Sequence, residues 1–230
     1  MKTSNKKLVQ FICAGKGGVG KSILEYILIN KYPDAISLDM DINETTFRQL
    51  AYRNPAKVNL LNENQVVDRG KLSDFFEYIS SHPANHFIAD CSSSLSEQLI
   101  PYIQDFGSKA LADILDSLLI ELQFISIIGG ADVFSSTMNY AVELCSAIKG
   151  NLTFIVAYNQ YFSLLEEQKE QLDKFISGNN IQLVSYTVSN DKNISTQNRI
   201  KQVLTSGRGY DCVSPFSKTY FQLAVENLQL

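Results

Sequence analysis

Long hydrophobic runs are missing from this chain: no stretch reaches the roughly 18 apolar residues that a membrane-spanning helix needs. The amino-terminal Met-Lys-Thr-Ser-Asn-Lys-Lys leads straight into a short apolar segment without a signal-peptide core, so a soluble, cytoplasmic protein is expected. Cysteine is sparse. Cys13, Cys91, Cys145 and Cys212 lie far apart with no Cys-x-x-Cys pair, which argues against a structural zinc site or a disulfide framework and for free thiols in a reducing compartment. Low-complexity tracts, proline- or glycine-rich linkers and internal repeats are also absent, so a single domain covering residues 1–230 is expected. With a net charge of −4 and an isoelectric point near 5.2, the chain as a whole does not attract a phosphate backbone.

What is present suffices for a sizeable core: 45% of the 230 residues are hydrophobic and 19% are charged. Leu8, Val9, Phe11 and Ile12 form a first apolar run, and further runs at 35–38, 58–61, 87–89, 124–128, 152–158 and 181–188 read as strands. Between them, Phe75, Phe76 and Ile79 give the apolar side of one helix. Leu111, Ile114, Leu115, Leu118 and Leu119 give a second, and Leu164, Leu165, Leu172, Phe175 and Ile176 a third. Strands alternating with helices predict an α/β fold: a mostly parallel central sheet with helices on both faces, in three αβα layers.

One segment carries chemistry. Gly15, Gly20, Lys21 and Ser22 match the pattern of a glycine, four residues, then Gly-Lys-Ser/Thr, set between the first apolar run and a helical pattern at Ile23, Leu24, Ile27 and Leu28. Glycines let successive backbone N–H groups turn onto phosphate oxygens at the start of a helix. Lys21 neutralises the β and γ phosphates, and the Ser22 hydroxyl suits Mg²⁺, which prefers hard oxygen ligands. The expected nucleotide contacts are Gly15, Lys16, Gly17, Gly18, Val19, Gly20, Lys21, Ser22 and Ile23. Lys16 is an addition that the ordinary loop does not require. With it, the segment Gly-Lys-Gly-Gly-Val-Gly-Lys-Ser resembles the deviant Walker loop of the ParA/MinD family of P-loop ATPases. In that family the lysine matched by Lys16 reaches across an ATP-dependent homodimer to the partner subunit's phosphates.

Sites in parallel sheets collect at the carboxyl ends of strands. After the run at 35–38 come Asp39, Asp41 and Asn43; the resemblance puts Asp39 near the attacking water and the outer shell of the metal, while a capping or turn role is the plainer reading of Asp39 and of Asn43. His86-Phe87-Ile88-Ala89-Asp90 is an apolar strand closing on a carboxylate, the Walker B arrangement, in which Asp90 holds Mg²⁺ through a water. Cys91, Ser92, Ser93 and Ser94 follow, where many relatives carry proline or glycine. The strand 152–158 delivers Asn159, whose amide offers both a donor and an acceptor to adenine; a loop-turn asparagine is the alternative.

The segment Ile127-Ile128-Gly129-Gly130-Ala131, the stretch 156–161 and the serines after Asp90 are similar to the TraL/StbC branch, small ParA-like proteins of plasmid conjugation and stability operons. The resemblance implies a slow ATP hydrolase with ATP and Mg²⁺ as cofactors, in which Lys16, Lys21 and Asp39 serve catalysis and the ATP state is a homodimer read by a protein partner. A nucleotide-binding scaffold with little hydrolysis is the alternative, kept open by the serines. An iron–sulfur carrier would need Cys91 or Cys145 poised at an interface. Lys192, Arg199, Lys201 and Arg208 could face DNA or form a solvated helix face. The carboxy-terminal Tyr220, Phe221, Leu223, Ala224, Val225, Leu228 and Leu230 predict a packing helix rather than a membrane-surface one.

Overall fold

The computed structural model describes residues 6–40, 48–189, 193–209 and 214–230. Its strands are β1 (Lys7–Cys13), β2 (Ile36–Met40), β3 (Ala56–Lys57), β4 (His86–Cys91), β5 (Ile120–Ile128), β6 (Thr153–Asn159) and β7 (Gln182–Tyr186). All pair in parallel in one seven-stranded sheet, ordered β3-β2-β4-β1-β5-β6-β7. A parallel sheet covered on both faces needs apolar side chains pointing both ways, so its strands read as unbroken hydrophobic runs.

The two faces divide the helices. Val9, Phe11, Cys13, Phe87, Ala89, Cys91 and Phe124 point to a layer made by α2 (Arg69–Ser81), α3 (Ser93–Phe106), α4 (Ser108–Ser117) and α5 (Phe134–Ile148), with α6 (Glu166–Asn179) beside it. Ile12, Ala14, Ile88, Ile125, Ile127 and Ala157 point the other way, to α1 (Lys21–Lys31), α7 (Ile194–Ser206) and α8 (Pro215–Asn227). This is the three-layer αβα architecture that the alternation predicts.

Helix α1 is buried on nearly every side, with Leu24, Tyr26, Ile27, Leu28 and Ile29 inaccessible, because α8 covers the flank that the sheet does not. Phe221 packs against Tyr26 with ring centroids 5.3 Å apart, and Lys31 Nζ donates to the carbonyl of Leu228 at 2.7 Å, closing the end of α8. The carboxy-terminal segment is thus a packing helix, as expected. Among the described residues no helix is long and apolar enough to cross a membrane.

Three expectations need correction. Residues 58–61 are not a strand: the ladder stops at β3, Val58 N–H bonds the Asp39 carbonyl at 2.9 Å, and Leu60 and Leu61 turn into the core beneath α2. Their hydrophobicity serves packing. Leu118 and Leu119 lie beyond α4, which ends at Ser117 because Leu119 adopts φ +58° and redirects the chain into β5. Leu164 and Leu165 precede α6; a leucine cannot cap, and the Gln168 side chain accepts the Leu165 N–H instead, at 3.1 Å.

Phe221→Ala should lower unfolding stability by about 3–5 kcal/mol, since it empties a site that is 1% exposed. Phe216→Ala, at a position 76% exposed on the same helix, should stay within about 0.5 kcal/mol. Urea denaturation distinguishes the two; equal losses would mean that α8 does not pack on α1.

Candidate functional site

β1 ends at Cys13 and α1 begins at Lys21, so residues 15–20 must turn back over the strand end within one short loop. Gly18 and Gly20 make this possible at φ +74° and +106°. Gly20 has a second reason to be glycine. A Cβ there would lie 2.5 Å from Asn159 Nδ2 and 2.9 Å from the Tyr186 hydroxyl. No side chain caps the start of α1 and no acidic residue occupies its first turn, as is also true of α4 and α5, whereas Asp68, Ser92, Asn193 and Ser214 cap α2, α3, α7 and α8. The first amides of α1 therefore stay open to an external anion, aided by the helix dipole.

Lys21 is 9% exposed, with Nζ 3.4 Å from the Lys16 carbonyl, while the Lys16 side chain is exposed. The Ser22 hydroxyl donates to Asp90 Oδ2. Asp90 and Asp39 are register partners on β4 and β2, 1% and 3% exposed, and share the sheet face that α1 covers. Two carboxylates, a lysine and a hydroxyl thus meet at the strand ends beneath an uncapped helix start.

The loop is braced from behind. Ala14 N–H donates to Ser96 Oγ at 3.2 Å, Ser96 Oγ donates to the Ser92 carbonyl at 2.8 Å, and the Tyr140 hydroxyl donates to the Ser96 carbonyl at 3.0 Å. The Tyr140 ring also lies 3.1 Å from where a Cβ on Gly15 would stand. Ser92 caps α3 by accepting the Leu95 N–H at 3.0 Å, and Ser93 Oγ lies 3.6 Å from a Cβ position on Gly17. The serines after Asp90 thus have structural work: they start α3 beside the loop and tie it to β1.

No family model matches the chain. Protein TraL of Escherichia coli is 22% identical over 170 residues, which span 72% of this chain and 68% of that protein. The MinD cell division protein of Aquifex aeolicus aligns over 95% of both chains with a TM-score of 0.56 at 11% identity. The chain shares the fold of that MinD protein.

Within this fold, Asn159 is buried and its amide is engaged: Nδ2 donates to the Val19 carbonyl at 2.9 Å and Oδ1 accepts the Tyr161 N–H at 3.1 Å. It holds the loop and the turn after β6. The Tyr186 hydroxyl donates to the Gly20 carbonyl at 3.2 Å; burial, then the charge of Asp90, pushes its pKa well up, so it remains a neutral donor. Ser96, Tyr140 and Tyr186 were not singled out from sequence. Each lies 80 or more residues from the loop it supports, and a serine or tyrosine in an apolar segment has no local signature.

Cys13 and Cys91 are buried under the loop, and burial, followed by the hydrogen bond to Cys13, raises the Cys91 thiol well above its usual range. Cys91 has no surface to present to a shared cluster. Of the basic residues, Arg199 lines a groove with Phe216, Lys201 lines the cavity beside the glycine loop, and Arg208 follows the end of α7. Lys192, together with Asp41, Asn43 and Cys212, lies outside the described residues.

Gly150→Ala, at φ +71° with open space around it, should destabilise the protein by about 1–2 kcal/mol through the backbone alone. Gly20→Ala should lose roughly 1–3 kcal/mol more, because Asn159 and Tyr186 must also move. Chemical denaturation of both variants is the check, and equal losses would show that those two side chains yield freely.

Proposed function

We propose that this protein is a slow ATP hydrolase of the MinD/ParA type, a switch that dimerises when it holds Mg-ATP and separates after hydrolysis. The observation that carries the reading is the uncapped start of α1 facing Lys21, Ser22, Asp39 and Asp90 at the carboxyl ends of adjacent strands. The donor set suits Mg²⁺: a serine hydroxyl and a buried carboxylate are hard oxygens already in contact. Bound there by Ser22, and through water by Asp90, Mg²⁺ would offset phosphate charge.

The remaining work belongs to the chain. Amides of residues 17–22 hold phosphate oxygens, and Lys21 neutralises charge that grows on the transferring phosphoryl group. Asp39 orients the attacking water. A carboxylate in a positive field is a weak base, so its contribution is positioning, which is sufficient for a slow reaction. Lys16 is exposed above the loop, where its ammonium can meet the phosphates of a second copy of the chain. On the sequence resemblance to the TraL/StbC branch, we infer a role in plasmid partition or conjugation, exerted through a protein that recognises the dimer. A scaffold that binds ATP with little turnover is the second reading, favoured by the engagement of Ser92 and Ser96 in bracing.

Lys21→Ala should weaken ATP binding by about 10- to 100-fold, the loss of one charge-assisted contact. Lys16→Ala should bind ATP but remain monomeric by light scattering, and Asp39→Ala should dimerise without releasing phosphate. A Lys16→Ala protein that dimerises and turns over like wild type would remove the cross-subunit role. A wild type that dimerises without Mg-dependent phosphate release would favour the scaffold.

A further inference from the structure

Helix α7 separates two concavities. The flank that carries Lys201 faces the cavity beside the glycine loop, while Arg199, Gln202 and Val203 face a groove of about 560 Å³ whose other wall is Ser214, Phe216 and Ser217 at the start of α8. That start is rigid. Pro215 fixes the first helical φ, Ser214 Oγ accepts the Ser217 N–H at 3.4 Å, and the two serine hydroxyls pair at 3.1 Å. Phe216 is 76% exposed, so its ring stands at the groove with little backbone freedom to lose on binding. Charge around the groove has one sign. The described residues 193–209 and 214–225 include Arg199, Lys201, Arg208 and Lys218 and no Asp or Glu, in a chain whose net charge is −4. No acidic residue occupies the first turn of α8, whose dipole adds a further positive end.

We propose that the groove between α7 and α8 docks an acidic segment of a partner protein, with an apolar side chain of that segment packed against Phe216 and a neighbouring carboxylate paired with Arg199. Charge alone would also suit a phosphate backbone. Shape favours protein: a duplex is bound by a row of cations that follows its phosphates, whereas here one guanidinium and one phenyl ring share a concavity of side-chain size. Aromatic residues and arginine are also the types enriched at the centres of protein interfaces. Because the groove lies on the flank of α7 away from the glycine loop, docking there does not depend on the ATPase reading.

A random library of peptides of about 12 residues, displayed on phage, selected on wild type and counter-selected on Phe216→Ala, should return sequences that combine Asp or Glu with Leu, Phe, Tyr or Trp. By fluorescence anisotropy, the recovered peptide should lose about 10- to 30-fold in affinity for Phe216→Ala and for Arg199→Gln, one anchor each. Exchanging its acids for Asn and Gln should weaken it on wild type and no further on Arg199→Gln. Both substituted positions are exposed, so circular dichroism and the urea midpoint should match wild type, and a fall in affinity then reports docking. A 20-base-pair duplex should not displace the peptide. The proposal is overturned if the selection returns nothing or only sequences without acids, or if the two folded variants bind the peptide as wild type does. Displacement by the duplex, lost in Arg199→Gln, would instead assign the groove to nucleic acid and overturn it as well.

Discussion

Gly20 is the point at which distant parts of the chain must agree. Its left-handed conformation turns the loop into α1, its missing Cβ admits Asn159 from the end of β6, and its carbonyl accepts the Tyr186 hydroxyl from the end of β7. A helix start left uncapped is an unfavourable element on its own. It persists because the loop before it is held from both sides, by Asn159 and Tyr186 near Gly20 and by Ser96 and Tyr140 near Ala14 and Gly15. The geometry that would suit an anion is therefore set by tertiary contacts.

Burial of the sheet on both faces imposes the second constraint. Successive residues of a strand point to opposite layers, so only alternate positions reach the α1 side. On β2, Ser37 and Asp39 fall there while Leu38 and Met40 enter the opposite core; on β4, Asp90 falls there while Ala89 and Cys91 do not. The shared register then sets Asp39 beside Asp90 without either belonging to a motif that includes the other. This parity also explains why Cys91, adjacent to Asp90 in sequence, is withdrawn from the crevice: it faces Cys13 and the α5 layer.

The glycine loop, the strand-end carboxylates and the alternation of elements were legible in the sequence because each depends on local pattern. The bracing was not. Tyr186 supports Gly20 across 166 residues and Tyr140 supports Ser96 across 44, separations at which one sequence carries no signal. Short apolar runs misled at 58–61 for a related reason: hydrophobicity reports burial and does not say whether the backbone joins a ladder.

The hydrogen bond from Ser22 to Asp90 bears on how the site would accept a cation. A cation taking a lone pair of the Ser22 oxygen leaves its O–H free to go on donating to Asp90, so this contact is compatible with an occupied site. The α1 start and the β4 end are then coupled through one contact. Beyond Asp90 the chain passes through Cys91 to Ser92, whose N–H bonds the Met40 carbonyl at 3.3 Å and whose side chain caps α3. A shift at Asp90 therefore reaches β2, next to Asp39, and α3, whose Ser96 holds Ala14 at the root of the loop. The serine-rich segment closes a circuit of hydrogen bonds from the loop to the carboxylates and back.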